Sequence, residues 1–579
     1  MADEKEIIEC HLAGTLPELL VEQTRRQYSD DAGKAFQAIL TKLHNNRKID
    51  VLEAARTISG SSISQHDFFT VMHVYCQLIP TLQAEVPAML AAVKALVARA
   101  GEDLASGMPN SAYRAWAEQG DRARATLAII NVQSPEDSAY VFLGLQALAK
   151  SLPNDALIEA IAYLEGPTSP GRSAAAKAIG TILLESPETR SRAADALITA
   201  ADTADDNSLG HILTAICEIA RAHPDMEATA VSLINTAAPR VGEQAIYQLS
   251  LELMFYGEEL PPRIIAGLTA IMQSVAVANL GTLDNLDTAG AKLVTNGRLD
   301  EALALISPLV AAHDELASLE VFDSFSHSLR ELAPNQLAKV IIDWLLSLDH
   351  HLGQAALSLV SNHLGDAPII LEVDRITVAR PDADKILLAH RAIGYLFMHP
   401  ITAASIVLGL IPALAEARRP VLIELLFDPL LINYSGALAD WFSERAKTDS
   451  DPMQPIINDL LARLETYIEG LRKAGRAMEL RPSERERMIE GNRQQDSMRQ
   501  VHKEAEKKSV FMSLVSRSVL LYGNRSISYF DGLGGKKQRN ETKLHSFSHS
   551  IESPRLEVFE PFDLDYKLRV FRAMEETKS

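Results

Sequence analysis

From about Gly33 to about Gly470 the chain is one apolar-periodic segment after another, each roughly 11–17 residues long and closed by a short Pro, Gly, Asn or Asp break. The clearest run starts at Leu152. The spacing predicts a helix over Pro153–Glu165 with Leu157, Ile158, Ile161 and Leu164 on one face. The break Gly166–Gly171 follows, then a helix over Arg172–Glu185 and another opened by Pro187, whose missing N–H costs nothing in a first helical turn. Asn207–His223 reads as the next helix and stops at Pro224. A chain of 579 residues is too long for one core. The breaks mark off antiparallel helix pairs at a period of roughly 35–45 residues, the mark of a repeat array.

Two segments show how such pairs would pack. Ala174-Ala175-Ala176-Lys177-Ala178-Ile179-Gly180-Thr181-Ile182-Leu183, with Arg172 near its start, puts small residues where helices meet and Ile or Leu between layers. Leu388-Ala389-His390-Arg391-Ala392-Ile393-Gly394-Tyr395-Leu396 repeats the Ala-Ile-Gly core, and Ser191–Ala200 and Leu352–Leu364 follow it more loosely. These stretches resemble the inner helices of HEAT and armadillo repeats. That resemblance implies an all-α fold: an α-solenoid of antiparallel helix pairs whose long surface holds other macromolecules. Ile369–Arg380 departs from the pattern, because its β-branched residues fit a strand or an irregular insertion.

Composition agrees with helices. Hydrophobic residues make up 47% of the chain and aromatics only 6%, which disfavours sandwiches and barrels. A net charge of −20 opposes general adhesion to nucleic acid or anionic membrane. Residues 471–550 nevertheless hold 17 Lys and Arg against 9 Asp and Glu, which leaves the rest of the chain near −28. Cys10, Cys76 and Cys217 lie far apart without CxxC spacing, as expected in a reducing compartment. The opening MADEKEIIEC lacks the basic-then-apolar pattern of a secretory signal, and Ile401–Ala415, interrupted by Pro412, is too short to span a bilayer. A cytoplasmic protein is expected, with no membrane partner.

The text changes near Gly470, so three regions are expected: a solenoid over 1–470, a charged helical linker over 471–510, and a small α+β module or clasp over 511–579. Phe511, Met512, Leu514 and Val515 suit one face of a short helix. Val519–Tyr522 and Arg525–Phe530 flank Gly523-Asn524, a dipeptide suited to a two-residue hairpin turn. A glycine-rich basic loop over Asp531–Lys537, a strand over Arg555–Phe559 and a last helix over Leu564–Met574 complete the region. Arg525, Lys536, Lys537, Arg539 and Lys543 are the candidate partner-binding residues. The loop lacks the GxxxxGK[ST] spacing of a P-loop. His545 and His549 stand four apart with no third ligand evident, so no metal site is expected.

No HExxH, GxSxG, kinase or dinucleotide motif occurs. His350-His351 read as exposed residues at a helix junction, Cys217 as a core residue within Ile212–Ala220, and Trp116, Trp344 and Trp441 as core packing. The expectation is a non-catalytic scaffold or adaptor, without cofactor, that binds protein partners through the solenoid and the basic C-terminal segment. A second reading makes residues 471–550 a contact for nucleic-acid phosphate; an enzyme with helical repeats is the third.

Overall fold

A computed structural model describes residues 3–575 apart from 27–30, 61–62, 102, 133, 363–366, 448–450, 476–481, 510–514, 522–524, 532–536 and 544–551. It is an all-α solenoid with a small α+β segment near the C-terminus. The residues cluster into two compact units, Met1–Glu331 and Leu332–Ser579.

In the first unit the helices form two layers. Ser169–Thr181, Asp206–Ala222, Glu243–Tyr256, Leu280–Thr295 and Asp323–Arg330 stack in sequence, each on the one before. Pro153–Leu164, Pro187–Ala201, Glu227–Ala237, Pro262–Met272 and Leu299–Ala312 stack likewise as the second layer. Every helix therefore has neighbours one repeat away, and each interface is rebuilt by the next pair. Ala-rich faces set the spacing: a Cβ on Gly180 would lie 3.1 Å from the Ala215 Cα, so the Ala-Ile-Gly segment presses directly on the next helix of its layer.

Hydrogen bonds keep the same period. Asp206 accepts from the Gly242 and Gln244 amides at 2.6 and 2.8 Å, and Asp287 from those of Phe325 and Ser324 at 2.7 and 3.1 Å. A carboxylate of one repeat thus satisfies the orphan N–H groups at the start of the next helix in its layer. Arg240 donates to the Ala201 and Ala204 carbonyls, and Arg298 to those of Gly257, Glu258 and Leu260. Partners 36–41 residues apart in all these bonds match the period expected from the breaks.

Several expectations shift in detail. Pro187–Ala201 is opened by a capping box in which Ser186 and Thr189 bond reciprocally. Ile158 points outward, half exposed, because its side lies off the stripe of Leu157 and Leu164. Segment 367–374 is irregular and Arg375–Val378 is one helical turn, so the β-branched run is an insertion and not a strand. Trp116 and Trp344 are core residues, whereas Trp441 is half-buried beneath Arg445. No helix among the described residues is long and apolar enough to cross a membrane.

In the second unit, Pro334–Leu346, His350–Ser361, Asp382–Leu396 and Pro400–Leu410 pack on one another. Ala437–Ala446 packs on Gln454–Ala474. Glu484–Lys508 is a single charged helix opened by a Ser483–Glu486 capping box. A three-stranded antiparallel sheet follows in the order β1 (Val515–Leu521), β2 (Arg525–Asp531), β3 (Lys537–Lys543). Arg555–Phe559 corrects the expectation of a strand: it is a short helix, followed at once by the helix Pro561–Ala573.

Candidate functional site

The five basic residues named from sequence are not one loop. A hairpin forms at the Gly-Asn signal, but Leu521 stands opposite Arg525, so three residues, 522–524, separate the paired positions in place of the two expected, and those three lie outside the described residues. Lys536 also lies outside them, as do most of the glycine-rich loop, Phe511, Met512, Leu514 and the histidines at 545 and 549. The chain then returns as a third strand, which sequence reading missed because KQRNETK has almost no β-branched or aromatic residue to mark it. Pairing is continuous from Arg525↔Lys543 through Ile527↔Glu541 and Tyr529↔Arg539 to Asp531↔Lys537. Side-chain positions alternate along a strand, so positions 537, 539, 541 and 543 share one face with 525, 527, 529 and 531. Four of the five named positions are therefore gathered on one face of the sheet. Arg539 is exposed and pairs with Glu541 at 3.0 Å; Lys543 is exposed, and Ile527 is buried.

A second feature was anticipated only as a clasp. Glu552 accepts from the Gly436 and Ala437 amides at 2.7 and 2.8 Å, capping the helix Ala437–Ala446. Arg555 donates to the Ser435 hydroxyl at 2.9 Å, the Leu556 amide to the Asn433 side chain at 2.8 Å, and Lys567 to the Asp428 carboxylate at 3.1 Å. The helix Pro561–Ala573 buries Leu564 and lies along Asp382–Leu396. There the second Ala-Ile-Gly segment does different work from the first. A Cβ on Gly394 would lie 3.0 Å from the Arg572 backbone nitrogen, so its lack of a side chain lets the clasp helix approach.

Arg391 is the centre of this contact. It is 2% exposed, and its guanidinium donates from Nε to the Leu345 carbonyl at 2.5 Å, from Nη1 to that of Arg572 at 2.8 Å and from Nη2 to that of Asp349 at 3.2 Å. Leu345 and Arg572 lie in the last turns of their helices, so one side chain satisfies orphan carbonyls at two helix ends. Arg572 answers with Nε to the Gly394 carbonyl at 2.6 Å, and Phe571 meets His390 edge-on at 4.9 Å between ring centroids. A cleft of about 530 Å³ opens beside them, lined by Leu348, His350, Tyr395 and Arg569 as well as by both arginines. Sequence reading passed over Arg391, although an arginine inside a run of Leu, Ala and Ile was the signal available.

Other titratable groups are buried in the first unit. Burial, with the negative Glu218 nearby, pushes the Glu252 carboxyl up to about 8, against the opposing pull of Arg221. Glu252 Oε1 has no hydrogen-bond partner among the described residues. Cys217 is buried in the same helix stack, where burial and the two glutamates raise its thiol well above the ordinary range. His350 is exposed at the start of its helix and His351 half-buried beside it. No group of three His, Cys, Asp or Glu among the described residues is arranged to hold a metal ion.

No family model matches the chain, and no curated protein matches it. Among solved structures it is similar to a chain of a homology model of the full-length AP-3 complex in an intermediate open conformation. That match has a TM-score of 0.31 and 13% identity and covers 75% of this chain and 78% of that chain. A likeness at this score carries no argument, and the solenoid assignment rests on the helix packing itself.

Proposed function

We propose that this chain is a non-catalytic scaffold that holds protein partners, with the basic face of the C-terminal sheet as a principal contact. The observation that carries the reading is the gathering of Arg525, Lys537, Arg539 and Lys543 at positions on one face of a three-stranded sheet, where Asp531 and Glu541 also fall and leave the face net basic. Cations so grouped act on a partner together, steering encounter and rejecting basic surfaces. The layered repeats supply extended surface in support, since each pair contacts only its neighbours.

The test is affinity capture by the tagged full-length chain beside a Lys537→Glu/Arg539→Glu/Lys543→Glu variant. Recovery of bound proteins falls by about tenfold or more in the variant, while its circular dichroism is unchanged. Equal recovery by both chains removes the sheet as the contact. The basic stretch 471–550 and the exposed helix Glu484–Lys508 also support the nucleic-acid reading. Retention of the wild type on a nucleic-acid column that falls steeply with salt, and is lost in the variant, would replace the protein-binding reading with that one.

A further inference from the structure

We propose that the cleft between the clasp helix and the Asp382–Leu396 helix is a binding site for a phosphate monoester carried on a small organic body. The proposal is independent of the sheet. It begins with charge. Arg391 is almost wholly removed from water, yet its hydrogen bonds to protein all go to neutral groups: the three carbonyls and the Tyr395 hydroxyl. Arg572 bonds through Nε to the Gly394 carbonyl alone. Neither guanidinium has a carboxylate within ion-pair distance among the described residues. Both lie over the Tyr395 ring, at 5.3 and 5.7 Å from its centroid, so two positive charges are held side by side at the wall of one cleft. A buried cation without a counter-ion is costly, and an anion in the cleft would relieve it.

The acidic groups nearby do not cancel this pair. Asp565 is engaged by Arg569 at 2.9 Å. Asp349 lies near Tyr395, but its carboxylate caps its own helix by accepting from the Leu352 amide at 3.0 Å and faces His351 at 4.0 Å. Glu575 is exposed at the rim, where water screens it.

Donor geometry selects the anion. Of the five N–H donors of Arg391, three go to carbonyls and one to the Tyr395 hydroxyl, which leaves one, and neither Nη of Arg572 is bonded to a protein oxygen among the described residues. His350 adds a ring nitrogen to the lining. These donors exceed what the two oxygens of a carboxylate accept, and they suit the three terminal oxygens of a phosphate monoester. Volume selects the rest of the ligand. A cleft of about 530 Å³ is larger than a bare phosphate needs, falls within the small-molecule range, and offers Leu348, Ala573 and Met574 to an apolar body. Because Arg572 belongs to the clasp and Arg391 to the repeats, a bound phosphate ties the two together and strengthens docking of the clasp.

Calorimetric titration of the full-length chain with phenyl phosphate, inorganic phosphate and benzoate tests this. Phenyl phosphate binds one-to-one, about tenfold or more tighter than benzoate, and slows amide exchange across Pro561–Ala573. Inorganic phosphate binding as tightly as phenyl phosphate would overturn the organic body and leave free phosphate as the ligand. Arg572→Gln, chosen because Arg391→Gln strands buried carbonyls, loses about tenfold in phenyl phosphate affinity with its unliganded melting temperature within a few degrees of wild type. Benzoate binding as tightly as phenyl phosphate, unchanged affinity in Arg572→Gln, or no heat at about 10 mM phenyl phosphate would each overturn the site.

Discussion

Single side chains in this protein are governed by what covers them, and Glu252 shows the effect on stability. The folded chain keeps its carboxyl protonated up to about pH 8, whereas an unfolded glutamate releases its proton near 4.3. Folding therefore takes up a proton between these values. The folded-state pKa is the higher one, so stability is greatest below the unfolded value, falls as pH rises through the window and levels off above about pH 8. Glu252→Gln removes the ionisable group at nearly constant shape. It raises stability by about 1–3 kcal/mol at pH 8 and by almost nothing at pH 4. Denaturant midpoints of both chains at several pH values check this, and a gain of equal size at every pH would refute it. Cys217 and Trp116 were legible as core residues because each stands within an apolar helical pattern. The raised pKa of Glu252 was not legible, since it arises first from burial within the helix stack and then from Glu218, which is 34 residues away in the chain.

At the scale of elements, the same sequence pattern serves two kinds of packing. Gly180 lets a repeat helix meet its neighbour in the stack, while Gly394 lets the C-terminal clasp meet the repeats. In Gly394→Ala the new methyl lies 3.0 Å from both the Arg572 Cγ and its backbone nitrogen, so the clasp helix must shift. The expected cost is about 1–3 kcal/mol, concentrated on the clasp. Hydrogen exchange then quickens in Pro561–Ala573 more than in Pro334–Leu346; uniform quickening, or none, would contradict this account of Gly394. Helices that carry Pro or a capping box at their start, such as Pro187–Ala201 and Glu484–Lys508, were readable from local signals. β3 was missed because KQRNETK carries almost no apolar residue, and Arg555–Phe559 was misread as a strand because five residues with Val and Phe are too few to show a period, so tertiary pairing and packing decide their state.

For the whole molecule, two compact units should respond separately to damage. Ending the chain after Asp531→stop would be too blunt, because it removes β3 as well; ending it at Ser550 removes only the clasp and leaves the sheet. That deletion strips Glu552 from its helix cap, Lys567 from Asp428 and the Arg572 carbonyl from Arg391. Stability of the second unit falls by about 1.5–3 kcal/mol or more, the range for losing a hydrogen bond to a charged group, and exchange in Met1–Glu331 is unaltered. Equal protection of Asp382–Leu396 with and without the clasp would show that these contacts do not stabilise it.

What this sequence determines by itself is the repeating helical architecture. Periodicity, breaks and caps act between residues a few positions apart, and the layers recur because each pair has the same face to bury. Only the tertiary structure decides where the clasp docks, that Arg391 bonds the Arg572 carbonyl 181 residues later, and that positions 525, 537, 539 and 543 fall on one face of a sheet. Those contacts join distant segments through shape and leftover hydrogen-bonding groups, for which a local pattern carries no signal.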